Sequence, residues 1–393
     1  MKHRIIYLCL FLFTVCNCSY ANKLQDSLKI SLLTCSPGEE VYSLYGHTAI
    51  RVQNLHSGED WVFNYGMFSF QTPNFLMRFV KGETDYELGV MPFSYFVQEY
   101  EERGSFVYQQ VLNLTQEEAK TLWTLLDTNY LPSNRVYRYN YFYDNCTTRA
   151  RDKIEESIEG KVLYPTFDET KSFRDIVHEY TKKHPWAEFG VDLCLGSQAD
   201  GHIDTRKQMF APFYMLQAAQ TAKIRNLKGE ERPLITEGGN IVQASSQNVE
   251  KEFPFSPMQV SVLLFLITIV LCLLEWKFNR IMWGIDLFWF ALQGLAGCVI
   301  AFLFFFSEHP TVGSNYLIII MNPIPLIYLP RMIYCDIKRR KDFYHYANVV
   351  VLTLFVLLWV VIPQKITLVV LPLALSLLVI SVTHLLIKDN VKK

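Results

Sequence analysis

Val260-Ser261-Val262-Leu263-Leu264-Phe265-Leu266-Ile267-Thr268-Ile269-Val270-Leu271-Cys272-Leu273-Leu274 holds no charge and only two hydroxyls, and this run divides the chain. It is the centre of an apolar segment at about 258–275, and four more follow at 284–306, 315–334, 347–362 and 366–387. Each approaches the ~20 residues an α-helix needs to cross ~30 Å of hydrocarbon. Residues 258–393 therefore read as a membrane domain of about five helices. Residues 258–393 carry 11 Lys and Arg against 6 Asp and Glu, whereas residues 1–257 carry 26 against 32. The net charge of -1 and the mean hydropathy of +0.12 are averages over these two unlike parts. With 50% hydrophobic residues and nine cysteines in 393, they exclude a disordered chain, a nucleic-acid binder driven by positive charge and a disulfide-dense miniprotein.

Loop charge orients the apolar runs. Lys277 and Arg280 follow the first; Arg331, Lys338, Arg339, Arg340 and Lys341 close the third; Lys388, Lys392 and Lys393 follow the fifth. The remaining loops hold only Lys365. Positive charge favours the cytoplasmic side, so residues before 258 face outward. The N-terminus gives the same topology. Residues 1–4 are basic, 5–15 apolar, and 18–21 small and polar with Ala21 suited to cleavage, the order of a secretory signal over 1–21. Asn17 stands where a lipoprotein signal wants a small residue before Cys18, which argues against lipidation of this chain. Asn322, Pro323 and Pro325 interrupt the third run, and such breaks persist where protein or a cavity satisfies the freed backbone.

Between signal and membrane, residues 22–237 read as one exported domain, and 238–257 turn to Gly, Ser, Asn, Gln and charge, the composition of a tether. Strand patterning occurs at 29–34, 48–53, 61–65, 88–91 and 106–112. Thr115 with Glu118 forms a capping box before an apolar-periodic run through Trp123 and Leu126. A second helix is expected from just after Asn145 to about Glu159, and a third over 211–225 with Pro212 in its first turn. The class is α+β, followed by an all-α transmembrane bundle.

Cys35, Cys146 and Cys194 are the cysteines of the exported part, an odd set in an oxidising compartment, so at least one is free. If Cys35 and Cys194 pair, Cys146 is the free thiol. Cys146 sits in the first turn of its expected helix, where backbone amides and the dipole favour a thiolate and can hold an oxyanion. A nucleophilic thiol needs a base, and the base an orienting partner. His47, at the entry of a strand, is the best base. Pairing across a turn over 54–57, with opposed positions summing to about 111, puts Asn64 opposite His47; His56 and Asp60 are alternative orienters. No pair among the exported His178, His184 and His202 shows zinc-site spacing, so neither a metal nor a cofactor is expected.

The stretches Leu32-Leu33-Thr34-Cys35-Ser36-Pro37-Gly38, Tyr45-Gly46-His47-Thr48-Ala49-Ile50-Arg51-Val52, Phe63-Asn64-Tyr65-Gly66-Met67-Phe68, Asp144-Asn145-Cys146-Thr147-Thr148-Arg149 and Leu195-Gly196-Ser197-Gln198-Ala199-Asp200 resemble the Lnb-type lipoprotein N-acyltransferases of bacteria. The outward loop 307–316 and Asn322-Pro323 are similar to that family as well. The order His, Asn, Cys also resembles circularly permuted papain-like thiol enzymes such as lecithin retinol acyltransferase. The resemblance implies a permuted papain-like domain on the periplasmic side of the bacterial inner membrane. It implies Cys146 as nucleophile and His47 as base. Cys146 would take an acyl chain from a phospholipid donor as a thioester and pass it to the α-amine of a diacylated lipoprotein acceptor, with no nucleic acid involved. Arg51, Asn145, Arg149 and His309 are candidate substrate contacts; for Arg149 with Asp152, and for Arg51, the alternative is a structural role. Tyr137, Tyr139 and neighbouring aromatics either line the entrance or belong to the core. A membrane-tethered thiol hydrolase, peptidase or amidase, would use the same Cys and His, and a non-catalytic sensor or assembly protein would keep only the fold.

Overall fold

The computed structural model describes residues 28–38, 40, 43–68, 73–245, 253–338, 340 and 342–390; the expected signal and residues 246–252 of the tether lie outside the described residues. In chain order the elements are β1 (Leu28–Cys35), β2 (His47–Asn54), β3 (Asp60–Met67), α1 (Phe75–Lys81), β4 (Asp85–Pro92), α2 (Phe93–Glu102), β5 (Val107–Leu112) and α3 (Gln116–Tyr130). There follow β6 (Val136–Arg138), α4 (Cys146–Ser157), β7 (Lys161–Leu163), α5 (Phe173–Thr181), α6 (Pro185–Cys194), α7 (Pro212–Thr221), β8 (Lys223–Arg225), β9 (Glu231–Pro233) and β10 (Ile235–Val242). The apolar half forms α8 (Pro257–Phe278), α9 (Trp283–Phe306), α10 (Ile324–Ile337), α11 (Phe343–Leu357) and α12 (Val370–Asn390).

Contacts divide the chain into two compact units, and the division is not the one composition suggests. The first holds the described residues of 28–73, 84–169 and 204–245, whereas 74–83 and 170–203 cluster with the membrane helices rather than with the rest of the expected domain.

In the first unit an antiparallel sheet runs in the order β10-β5-β1-β2-β3-β4-β6. Alternation along its central strands buries Ile30, Leu32, Ile50, Val52, Phe63 and Tyr65 on one face, where α3, α4 and α7 supply Leu122, Leu126, Ile154 and Met215. Leu33, Ala49 and Val62 bury the other face with Phe96 and Tyr100 of α2. The capping box of α3 forms as expected, Thr115 Oγ1 accepting from Glu118 N–H at 3.2 Å and Glu118 Oε2 from Thr115 N–H at 2.8 Å. Two boundaries differ. The helix expected over 211–225 ends at Thr221, because Lys223–Arg225 leaves it to pair with β7 and β9. The tether expected from 238 begins instead as β10, the edge strand that supplies Val242 to the second core face.

In the second unit four helices are long and apolar enough to cross a membrane, Pro257–Phe278, Trp283–Phe306, Tyr316–Ile337 and Val370–Ile387; Phe343–Leu357 is apolar and shorter. The turn Trp359–Val361 follows the shorter helix, and Lys365 beyond it bonds Asp175 and Asp200 of the segment 170–203. The break at Asn322-Pro323 is packed rather than open. A Cβ on Gly297 would come within 2.3 Å of the Asn322 backbone, and Gln293 Nε2 donates to the Ile320 carbonyl at 2.6 Å. Small residues bring the helices together and a side-chain amide satisfies a carbonyl left by the break.

Candidate active site

His47 opens β2 directly after Gly46, whose φ of +78° is left-handed and whose Cβ, if present, would lie 2.6 Å from the Cys35 carbonyl oxygen. Only glycine fits this turn, which fixes the imidazole at the strand entry. Cys146 is the first residue of α4 and is held by its predecessor. Asn145 Oδ1 accepts from the Thr147 and Thr148 amides at 2.9 Å each, and Asn145 Nδ2 donates to the Tyr141 and Phe210 carbonyls at 2.8 and 2.9 Å. Thr148 Oγ1 accepts from the Asn145 N–H at 2.8 Å. The cap is buried, so each of its polar atoms is held in one orientation. Thr48 Oγ1 and Thr147 Oγ1, 3.0 Å apart, then fasten β2 to α4 beside the thiol.

His47 Nε2 donates to Asn64 Oδ1 at 3.2 Å, and Asn64 is buried. The Cys146 thiol lies close enough to the same imidazole for each to act on the charge of the other. Burial pushes the Cys146 thiol up, but the charge of His47, its hydrogen bond, the Thr48 amide and the Thr147 hydroxyl outweigh burial and bring it below its ordinary range. Burial correspondingly pushes His47 down, and the thiolate beside it, with Asn64, more than compensates and raises it. Each group thus favours the charged form of the other. A thiolate–imidazolium pair is a ready nucleophile with a proton donor at hand.

The hairpin register differs from expectation by two. Ile50 pairs with Phe63 and Gln53 with Asp60, because the connection runs over 55–59 and is closed by Gly58 at φ +78°. A two-residue shift keeps every side chain on its face, so Asn64 reaches His47 diagonally. His56 lies in the exposed connection, and Asp60 is taken by Arg51.

The structure gives other candidate residues structural partners. Arg51 Nε and Nη2 hold Asp60 at 2.8 and 2.6 Å, Nη1 donates to Gln109 at 2.7 Å, and the guanidinium lies 3.3 Å from the Phe93 ring centroid. Arg149 pairs with Asp144, not Asp152, at 2.6 and 2.8 Å, and stacks 3.5 Å over the Tyr137 ring; Asp152 binds Arg151 and Arg206. His309 belongs to the second unit, where its Nε2 donates to the Phe79 carbonyl at 2.6 Å beside the Glu308 N–H bond to the Lys81 carbonyl. Cys35, Cys146 and Cys194 are all free thiols, so no bridge joins Cys35 to Cys194.

Four further residues shape the site. Besides Thr48 and Thr147, they are Gly66 and Tyr137. Gly66, at φ +91° in the bulge between Asn64 and Met67, leaves a space walled by the Cys146 Cβ and Tyr139 Cε2 at 3.7 Å and the Tyr137 hydroxyl at 3.9 Å from where its own Cβ would stand. That hydroxyl is buried and has no hydrogen-bond partner among the described residues. A donor in that position, with the Cys146 amide at the start of α4, suits an oxygen that gains charge next to the sulfur. The tyrosine-rich run 137–143 was visible in the sequence, but nothing in it distinguishes Tyr137.

Residues 19–180 match the model of the Lnb N-terminal periplasmic domain, and residues 248–392 that of the Lnb transmembrane domain. Neither among curated proteins nor among solved structures is there a match to the chain.

Proposed function

Because the chain belongs to the Lnb family, and is thus a multi-pass membrane protein with a periplasmic N-terminal domain, we propose that it is a lipoprotein N-acyltransferase acting through a Cys146 thioester. The observation that carries this reading is the coupled Cys146–His47 pair with Asn64 behind the imidazole. The acyl donor is a phospholipid and the acceptor the α-amine of a diacylglyceryl-cysteine, both residents of the outer leaflet of the inner membrane. Anchoring the site to that leaflet raises their effective concentration.

The Cys146 thiolate attacks the ester carbonyl, and the oxygen that gains charge accepts hydrogen bonds from the Cys146 amide and the Tyr137 hydroxyl. On collapse the C–O ester bond breaks and His47 gives its proton to the departing lysophospholipid alkoxide, leaving the thioester and a neutral imidazole. The acceptor amine then attacks; His47 takes its proton, the C–S bond breaks, and the amide and the thiolate–imidazolium pair result. Asn64 keeps the ring oriented through both halves, the positioning role such a partner plays in thiol and serine enzymes. Water competes with the amine for the thioester. The packed rings of Tyr86, Tyr137 and Tyr139 beside the thiol support a site that disfavours it.

Incubating the purified full-length protein with phospholipid vesicles and a diacylated lipopeptide tests the reading. It predicts an amide-linked third chain by mass spectrometry, lost in Cys146→Ala. Free fatty acid or cleaved peptide without that amide would instead mark a membrane-tethered hydrolase, and full product from Cys146→Ala would remove the thiol from the reaction.

A further inference from the structure

Four ionisable side chains with no part in the thiol chemistry meet inside the membrane bundle. Asp286 comes from the first turn of α9, Asp336 from the last turn of α10, His345 from the first turn of α11 and His384 from α12. All four are buried, at 0%, 5%, 1% and 0% exposure, and one ligand atom from each lies within 4.8 Å of the other three. We propose that this cluster is a binding site for a divalent transition-metal ion of the zinc class, which staples four helices at the end of the bundle carrying the basic loops.

Geometry supports the assignment. Ligand atoms around tetrahedral zinc, at ~2.0–2.1 Å from the ion, stand about 3.3 Å apart. His384 Nε2 is 3.1 Å from Asp286 Oδ1, and His384 Nδ1 is 3.4 Å from Asp336 Oδ1. One ring cannot give both nitrogens to one ion, so one of these distances is a ligand–ligand separation and the other is the hydrogen bond that orients the ring, the orienting carboxylate keeping its second oxygen for the ion. One nitrogen binds the ion and the other stays on a carboxylate, the arrangement that orients metal-bound histidines. His345 has its own support: Nδ1 is engaged with Ser381 Oγ at 3.3 Å, which in turn accepts from Asn348 Nδ2 at 2.9 Å, so Nε2 is the nitrogen for the metal.

The charge balance fits a divalent ion. Two carboxylates with two neutral imidazoles carry two negative charges, which one divalent cation cancels while engaging the cluster as a whole. Protons would have to sit on a carboxylate or on one imidazole alone, because the two ring centroids are 4.2 Å apart with planes 30° from parallel. Two like charges at that distance, away from water, repel strongly. Two imidazoles with two carboxylates also suit a borderline metal rather than calcium or magnesium, which prefer oxygen alone. The absence of zinc spacing among the exported histidines does not bear on this site, because its ligands come from four separate membrane helices.

The test uses the tag-free, full-length protein purified in detergent after growth with added zinc and without chelator. Elemental analysis should give close to one transition-metal ion per chain. His384→Ala and Asp286→Asn should each lower that value at least several-fold. Cobalt titrated into chelator-treated wild-type protein should saturate at one equivalent with the visible bands of a four-coordinate site, a readout that stands even if both variants unfold. Folded wild-type protein that carries no stoichiometric metal, and takes up neither Zn²⁺ nor Co²⁺, would overturn the proposal.

Discussion

Cys35 and Cys146 show how little burial alone says about a thiol. Cys35 sits on β1 among apolar neighbours, and burial pushes it up to about 12. Cys146 meets the same penalty, yet it is drawn below its ordinary value of 9.0 because His47 stands beside it. Removing His47 leaves the penalty without the compensation. The rate of Cys146 alkylation by iodoacetamide should therefore reach half its maximum below pH 9.0 in the wild type and above it in His47→Gln. The sign follows from protonation: the thiolate reacts, and a depressed thiol pKa keeps it populated to lower pH. An unchanged midpoint would separate the two residues. His47 and Cys146 were legible in the sequence because each sits at an element's start, where glycine or a capping residue precedes it. The Tyr137 hydroxyl was not, because its place depends on the bulge at Gly66 rather than on any local pattern.

At the scale of elements, the turn Leu195–Asp200 acts as a connector inside the second unit. The Gly196 N–H donates to the Thr311 carbonyl at 2.8 Å, the Gln198 N–H to Ser314 Oγ at 3.1 Å, and Gln364 Nε2 to the Leu195 carbonyl at 3.1 Å. Beneath it, fully buried Arg174 holds Asp192 at 2.7 Å, Asp200 at 2.6 Å and the Leu195 carbonyl at 2.9 Å. Removing one partner of such a network leaves carboxylates buried without compensation, at a cost of about 3–5 kcal/mol. Arg174→Met should lower the thermal unfolding midpoint in detergent markedly, and an unshifted midpoint would show that the network contributes nothing. The turn's residues were conspicuous in the sequence, but their partners come from the outward loops between membrane helices. Helix starts such as Thr115 and Asn145 were legible because a cap and the residues it holds are neighbours in the chain; the hairpin register was misplaced because Gly58 lengthens the connection.

For the whole molecule, hydropathy separated the membrane half cleanly, since a run without charge reads the same in any context. It says nothing of how 74–83 and 170–203 pack, since these are ordinary mixed sequence whose contacts group them with residues after 250. In the proposed reaction the assembled protein holds the acyl chain on Cys146 between donor and acceptor. Intact-protein and peptide mass spectrometry of His47→Ala after incubation with phospholipid vesicles, with the acceptor withheld, tests it most directly. The account predicts a hydroxylamine-labile acyl adduct on the Cys146 peptide, absent from Cys146→Ser with the same His47 change. An adduct on another residue, or none while the wild type still acylates lipopeptide, would contradict it.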